Sequence, residues 1–173
     1  TVWTHHPLSS YALADRVYDN PFWVMNEARN TSGVGRTFGN VQVDYEPLSW
    51  LTVKYTLGAD YSSDERIEGL PPMSAGDALT GQLWQGTYNY LELDHNLIAT
   101  ATKSWNPNFV TTLTAGQNLN SRDVTQVQAK GTTYISPDLF TLNNTVSSNL
   151  QPQNFESKTH IAGHFAQLQT DLW

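Results

Sequence analysis

GNVQVDYEPLSWLTVKYTLGADY, residues 39–61, is the stretch whose reading decides the fold. Val41, Val43 and Tyr45 alternate with Asn40, Gln42 and Asp44. Beyond Pro47, Leu48 and Ser49, the residues Leu51, Val53, Tyr55, Leu57, Ala59 and Tyr61 alternate with Thr52, Lys54, Thr56, Gly58, Asp60 and Ser62. A period of two sends successive side chains to opposite faces of a strand. The stretch therefore predicts a hairpin of two long strands, the first from about residue 36 to 46, around a short turn. One face is apolar and the other polar.

The same alternation continues outward. Leu91, Leu93, Leu97, Ala99 and Ala101 oppose Glu92, Asp94, Asn96, Thr100 and Thr102, with His95 and Ile98 breaking the pattern. A second short turn, KSWNPN, leads to Phe109, Thr111, Leu113 and Ala115 alternating with Val110, Thr112, Thr114 and Gly116. A further strand is expected over residues 124–135, followed by a loop at SPDLFTLNN. A last run, residues 158–173, carries Ala162, Ala166, Leu168 and Leu172 on its apolar face. Residues 1–33 read as a loop or strand lead-in, and residues 63–81 and 119–156 as long loops rich in Gly, Pro, Ser and Asn.

Composition narrows what such a sheet can be. Only 39% of the 173 residues are hydrophobic and 14% charged, so much of the chain is Thr, Asn, Gln, Ser and Gly, which neither fills a wide core nor charges a surface. Aromatic residues reach 12%, with six Trp, and such rings favour boundaries between apolar and wet surroundings. A net charge of −7 offers no basic footprint for nucleic acid. The chain has no cysteine, which removes disulfides and thiol chemistry. No apolar run is long enough for a transmembrane helix.

The order short turn, long loop, short turn, long loop is the asymmetry of outer-membrane barrels, whose strands turn an apolar face to lipid and a polar face to the lumen. Tyr45, Trp50, Trp105 and Phe109 lie beside the two short turns, where a periplasmic aromatic girdle belongs. Asp60, Glu92 and Asp94 fall on the polar, lumen-facing side. The expected fold is all-β: an antiparallel transmembrane β-barrel segment of about five strands, with short periplasmic turns and long extracellular loops. Residues 1–173 form one partial barrel domain. An open sheet of this kind would leave two unpaired edges, which lipid does not tolerate, so the segment is expected to belong to a larger barrel.

Chemistry-bearing constellations are few. His160 and His164 have the spacing of a helical metal pair, but on a strand four residues span roughly 13 Å, too far to share one ion. His5 and His6 read as part of a solvated terminus. Glu92 and Asp94 share a face at about 7 Å, a separation that glycosidase carboxylates also show, but without an apolar pocket to raise either pKa. No Gly-x-Ser-x-Gly motif frames a serine. No enzyme, cofactor or metal site is expected. Ser63 to Arg66 reads as a solvated loop entrance. Trp84, Tyr88 and Tyr90 stand where the first long loop returns to the sheet. They are candidate substrate or loop contacts, able to stack on a sugar ring or to pack on neighbouring loops.

Several segments carry a family resemblance. NPFWVMNEARN, residues 20–30, resembles the Asn-Pro-aromatic-Trp segment of the SusC/RagA-like, TonB-dependent outer-membrane transporters of Bacteroidetes-type bacteria. The opening hairpin, LDHNLIATATKSWNPNFVTTLTAGQNL and ISPDLFTLNN follow in the family's order, over most of the chain from Asn20 onward. The residues before Asn20 and the loop RIEGLPPMSAGDA match no family segment, and His95 departs from the pattern. The resemblance implies a barrel of about 22 strands around a plug. It implies import of oligosaccharides or peptides energised through TonB, beside a SusD-like surface lipoprotein. This chain would be an interior barrel segment with neither plug nor TonB-contacting stretch, partnered by outer-membrane lipid and by the rest of its own barrel and plug. The alternative is a soluble β-sandwich carbohydrate-binding module, which would share the polar composition but pack one face into a core and need no detergent.

Overall fold

The computed structural model describes residues 19–75 and 78–172. Its regular elements are a short helix α1 (Pro21–Glu27) and five strands, β1 (Arg29–Leu48), β2 (Leu51–Pro72), β3 (Thr80–Asn106), β4 (Phe109–Thr132) and β5 (Gln151–Leu172). The strands form one antiparallel sheet in sequence order, each bonded to its neighbours along the chain, with β1 and β5 at the edges. Such a meander is what tight turns between long alternating strands produce. Among the described residues no second sheet covers this one, and only Ala78 and Leu83 count as a buried apolar core. That overturns the β-sandwich alternative, whose stability rests on two inner faces packed together.

The short turns fall at Ser49–Trp50 and Pro107–Asn108, and the strands on both sides outrun the alternating stretches. Much of what reads as loop at 63–81 and 119–156 is strand: β2 continues to Pro72, β4 runs unbroken from Phe109 into the strand expected at 124–135 and ends at Thr132, and β5 begins at Gln151. The connections proper are residues 73–79 and 133–150. Apolar and polar residues alternate only where the two faces meet different surroundings, so a strand between two similar surroundings loses its signature in sequence while keeping its backbone ladder. The expected lead-in also differs. Its residues 1–18, including His5 and His6, lie outside the described residues, and Pro21–Glu27 is helical rather than loop or strand. Asn20 caps that helix by accepting from the Phe22 N–H at 2.9 Å, with Pro21 at the first position, where no donor is needed.

By contacts the chain divides into two units. One comprises the residues up to Gly35 with Ser63–Tyr88 and Gln126–Phe155; the other comprises Arg36–Ser62, Asn89–Thr125 and the residues from Glu156 on. The second unit contains both short turns. In it, Thr100 and Thr102 stand across from Thr114 and Thr112, with hydroxyls 3.4 and 3.3 Å apart, and the opposite face is apolar and open. His95 falls on that apolar face. There the Tyr55 hydroxyl meets its Nδ1 at 2.7 Å, which explains how the histidine sits among Leu93, Leu97 and Leu57. Tyr55→Phe should cost about 1–2 kcal/mol by leaving a ring nitrogen without its partner, and His95→Leu added to it should recover most of that loss. Urea unfolding of the single and double variants checks this. A double variant no better than the single would refute the pairing.

The first unit holds the small core. The chain from 133 to 150 folds back over one face of β2, β3 and β4, with Phe140 lying against Gly69 and Thr145 against Gly131, positions where a Cβ would collide with those side chains. Tyr134 packs edge-on against Phe140 at 5.9 Å and donates from its hydroxyl to the Gln82 carbonyl at 2.7 Å. Burial pushes the Tyr134 phenol up to about 12, so it keeps that proton at any growth pH. Tyr134→Phe is expected to loosen the segment by about 1 kcal/mol, seen as faster amide exchange over 133–150. Thr133 takes the left-handed conformation (φ 66°) that β-branched residues avoid, and it is held there by its N–H to Gly81, its carbonyl to Val146 and Asn149 on its hydroxyl. Trp23 on α1 donates to the fully buried Ser74 hydroxyl at 3.1 Å, and Asp19 accepts from the Ala75 N–H at 2.7 Å, tying the helix to the 73–79 connection.

Candidate functional site

Period two puts Asp60 on β2, Glu92 and Asp94 on β3, and Asn118, Asn120 and Arg122 on β4 on one face of the second unit, and the contacts confirm it. Arg36 grips Asp60 through two nitrogens at 2.9 and 2.5 Å. Glu92 accepts from the Tyr90 hydroxyl at 2.5 Å, from Asn120 at 2.7 Å and from Arg122 at 3.0 Å. Asp94 accepts from Asn96 at 2.5 Å, Asn118 at 2.9 Å and Asn120 at 3.2 Å. These donors tie each carboxylate to a neighbouring strand, so the face is a cross-linked polar wall. Sequence reading found the acids but not the donors, because Arg36, Arg122, Asn118 and Asn120 become neighbours only once the register is known.

The aromatic residues of β3 divide between the units. Tyr90 belongs with Glu92. Trp84 and Tyr88 lie in the first unit, on the face opposite Leu83, with Gly86 between them. Arg66 stacks over the Tyr88 ring at 4.8 Å, and Lys130 stands over Trp84 at 5.6 Å. The Tyr88 hydroxyl donates to the Gln128 carbonyl oxygen at 2.9 Å, and the Gln128 amide donates to Gln153 at 2.8 Å. A niche of about 50 Å³ opens among Arg66, Glu68, Trp84, Gly86, Tyr88 and Gln128. A broader, open hollow of about 970 Å³ also touches Arg66, Gly86 and Gln128 and reaches across all five strands from Ser32 to Gln153. Asp64 fixes Arg66 from the side, accepting from its Nε at 2.6 Å while also accepting from the Ser32 hydroxyl at 2.7 Å. The Ser32 hydroxyl first, and Arg66 after it, hold the Asp64 carboxyl below its ordinary range, and Asp64 in turn raises the Arg66 guanidinium. Arg66, expected in a solvated loop entrance, is thus part of the site.

Tyr45, Trp50, Trp105 and Phe109 all stand at the short-turn ends of the strands. Trp105 and Phe109 stack at 6.5 Å, Lys103 lies over Trp105 at 5.9 Å, and Tyr45 and Trp105 are 63% and 64% exposed. His160 and His164 share the face of Ala162 and Ala166 on β5. Among the described residues no group of three or more His, Asp or Glu is arranged to hold a metal ion.

No protein-family model matches the sequence, and no curated protein does. Solved structures do. The RagAB peptide transporter matches over 88% of this chain at 15% identity and a TM-score of 0.77. The RagAB peptide importer matches in its closed-closed state over 84% at 15% identity and 0.74, and in its open-open state over 88% at 16% and 0.72. These matches cover 16–17% of those chains. The chain therefore has the fold of one stretch of the RagAB peptide transporter chains and spans about a sixth of their length.

Proposed function

We propose that this chain is a wall segment of a SusC/RagA-like, TonB-dependent transporter in the bacterial outer membrane, importing oligosaccharides or peptides. The observation that carries this reading is the single five-stranded meander, apolar and open on one face, polar and cross-linked on the other, in a fold shared with peptide transporter chains. In this reading the halves of the strands beside the short turns cross the bilayer, with Tyr45, Trp50, Trp105 and Phe109 at the periplasmic interface. Asp60, Glu92 and Asp94 face the lumen, and the connections 73–79 and 133–150 face the cell exterior. The open edges of β1 and β5 pair with further strands of the same barrel, because lipid leaves no unpaired backbone unsatisfied. The barrel encloses a plug that contacts TonB and works beside a SusD-like surface lipoprotein.

Fractionating cells that make the protein tests this. Recovery in detergent extracts of outer membranes, with uptake of labelled oligosaccharide or peptide falling to background when TonB is removed, is the expected result. Recovery in buffer without detergent overturns the reading.

A further inference from the structure

The aromatic residues beside Gly86 do not offer free faces to a sugar. Arg66 covers Tyr88 and Lys130 stands over Trp84, so the surface presents positive charge backed by aromatic rings. Building on the transporter reading, we propose that this niche receives a carboxylate carried by the transported oligomer, with Arg66 as its main contact and Lys130 as the flanking charge.

Three observations support the assignment. The guanidinium is held in place before any ligand arrives, its Nε on Asp64 and its face on Tyr88, while no hydrogen bond among the described residues engages its two terminal nitrogens. A planar fork with free donors matches the two oxygens of a carboxylate. Lys130 likewise has no ion pair among the described residues, so its charge is available to a ligand. The space itself, about 50 Å³, is of a size for a small terminal group. Gln128 closes one side, fixed by Tyr88 and Gln153, and Gly86 lets it approach, since a Cβ there would lie 2.8 Å from the Gln128 Cβ. Glu68 also lines the niche and opposes an incoming anion, which gives the proposal a test of opposite sign.

A carboxylate could arrive on a peptide or on a uronic acid, so two matched pairs of probes are needed. The detergent-extracted protein that carries this chain is titrated calorimetrically with N-acetyl-trialanine and its C-terminal amide, and with a galacturonic acid trimer and the neutral galactose trimer. At least one acid should bind about tenfold or more tighter than its neutral partner, and the pair that shows the difference names the source. Arg66→Gln should reduce that acid's affinity about tenfold and leave the neutral probe within twofold, whereas Glu68→Gln should strengthen the acid severalfold. Equal binding of acid and neutral probe in both pairs overturns the proposal. So does an Arg66→Gln variant that weakens acid and neutral probes alike. A protein that needs no detergent sinks the transporter reading, while the acid preference is still scored by the same titrations.

Discussion

Leu113→Arg is expected to cost about 2–4 kcal/mol of folding free energy in the membrane, while Thr112→Arg, one residue away, should cost about 1 kcal/mol or less. Leu113 lies on the open face of β4, 48% exposed and the fifth residue of the strand after the second short turn. If that face meets hydrocarbon, the arginine must bury its charge or snorkel to the interface. On the opposite face, Thr112 stands across from Thr102 at 3.3 Å in a polar row, where a long cationic side chain can reach water. Urea titration of the heat-modifiable folded form in lipid vesicles measures both variants. In a water-soluble sheet the order would reverse or vanish, because an exposed Leu→Arg is nearly neutral in water. Equal tolerance at the two positions would therefore count against the membrane reading itself.

Asn144→Ala should open the segment 133–150 to protease on intact cells. Asn144 is 5% exposed, and its side chain accepts from the Ser136 N–H at 2.9 Å while donating to the carbonyls of Ser136 at 2.7 Å and Leu139 at 2.6 Å. Its backbone also bonds Ile135 and Thr141. Removing the amide leaves the Ser136 N–H and carbonyl without their partner and takes one donor from the Leu139 carbonyl, which keeps the Thr141 N–H, a loss of about 2 kcal/mol of local stability. At about 1.4 kcal/mol per factor of ten, the opened population rises roughly thirtyfold, and proteolysis follows it. Asn143, its exposed neighbour, contributes no such bond, so Asn143→Ala should be cut at the parent rate. If both variants resist cleavage equally, Asn144 does not hold the segment closed.

How far the sequence could be read follows from where surroundings differ across the sheet. From residue 39 to 61, and with breaks at His95, Ile98 and Val110 from 91 to 116, apolar and polar residues separate, so strand, face and turn can be assigned from the letters alone. Around Glu65, Arg66 and Ile67, or Val127, Gln128 and Ala129, the alternation fades although the strands run on. The NPFW segment points the other way: its asparagine and proline are a helix-start signal, yet the surrounding strands draw the eye past it.

The sequence by itself determined that this is an all-β chain of long two-faced strands joined alternately by tight turns and longer connections, because period-two patterning is local and survives without knowledge of neighbours. It determined the acids of the polar face and the rings at the turn ends for the same reason. Only the tertiary structure decided which side chains meet. The Arg36 grip on Asp60, the Tyr55 hydroxyl on His95, Arg66 over Tyr88 and the fold of 133–150 onto Gly69 and Gly131 depend on strand register and chain reversal. Those are set by pairings between residues far apart in the chain, and a single strand's pattern does not encode its partner's offset.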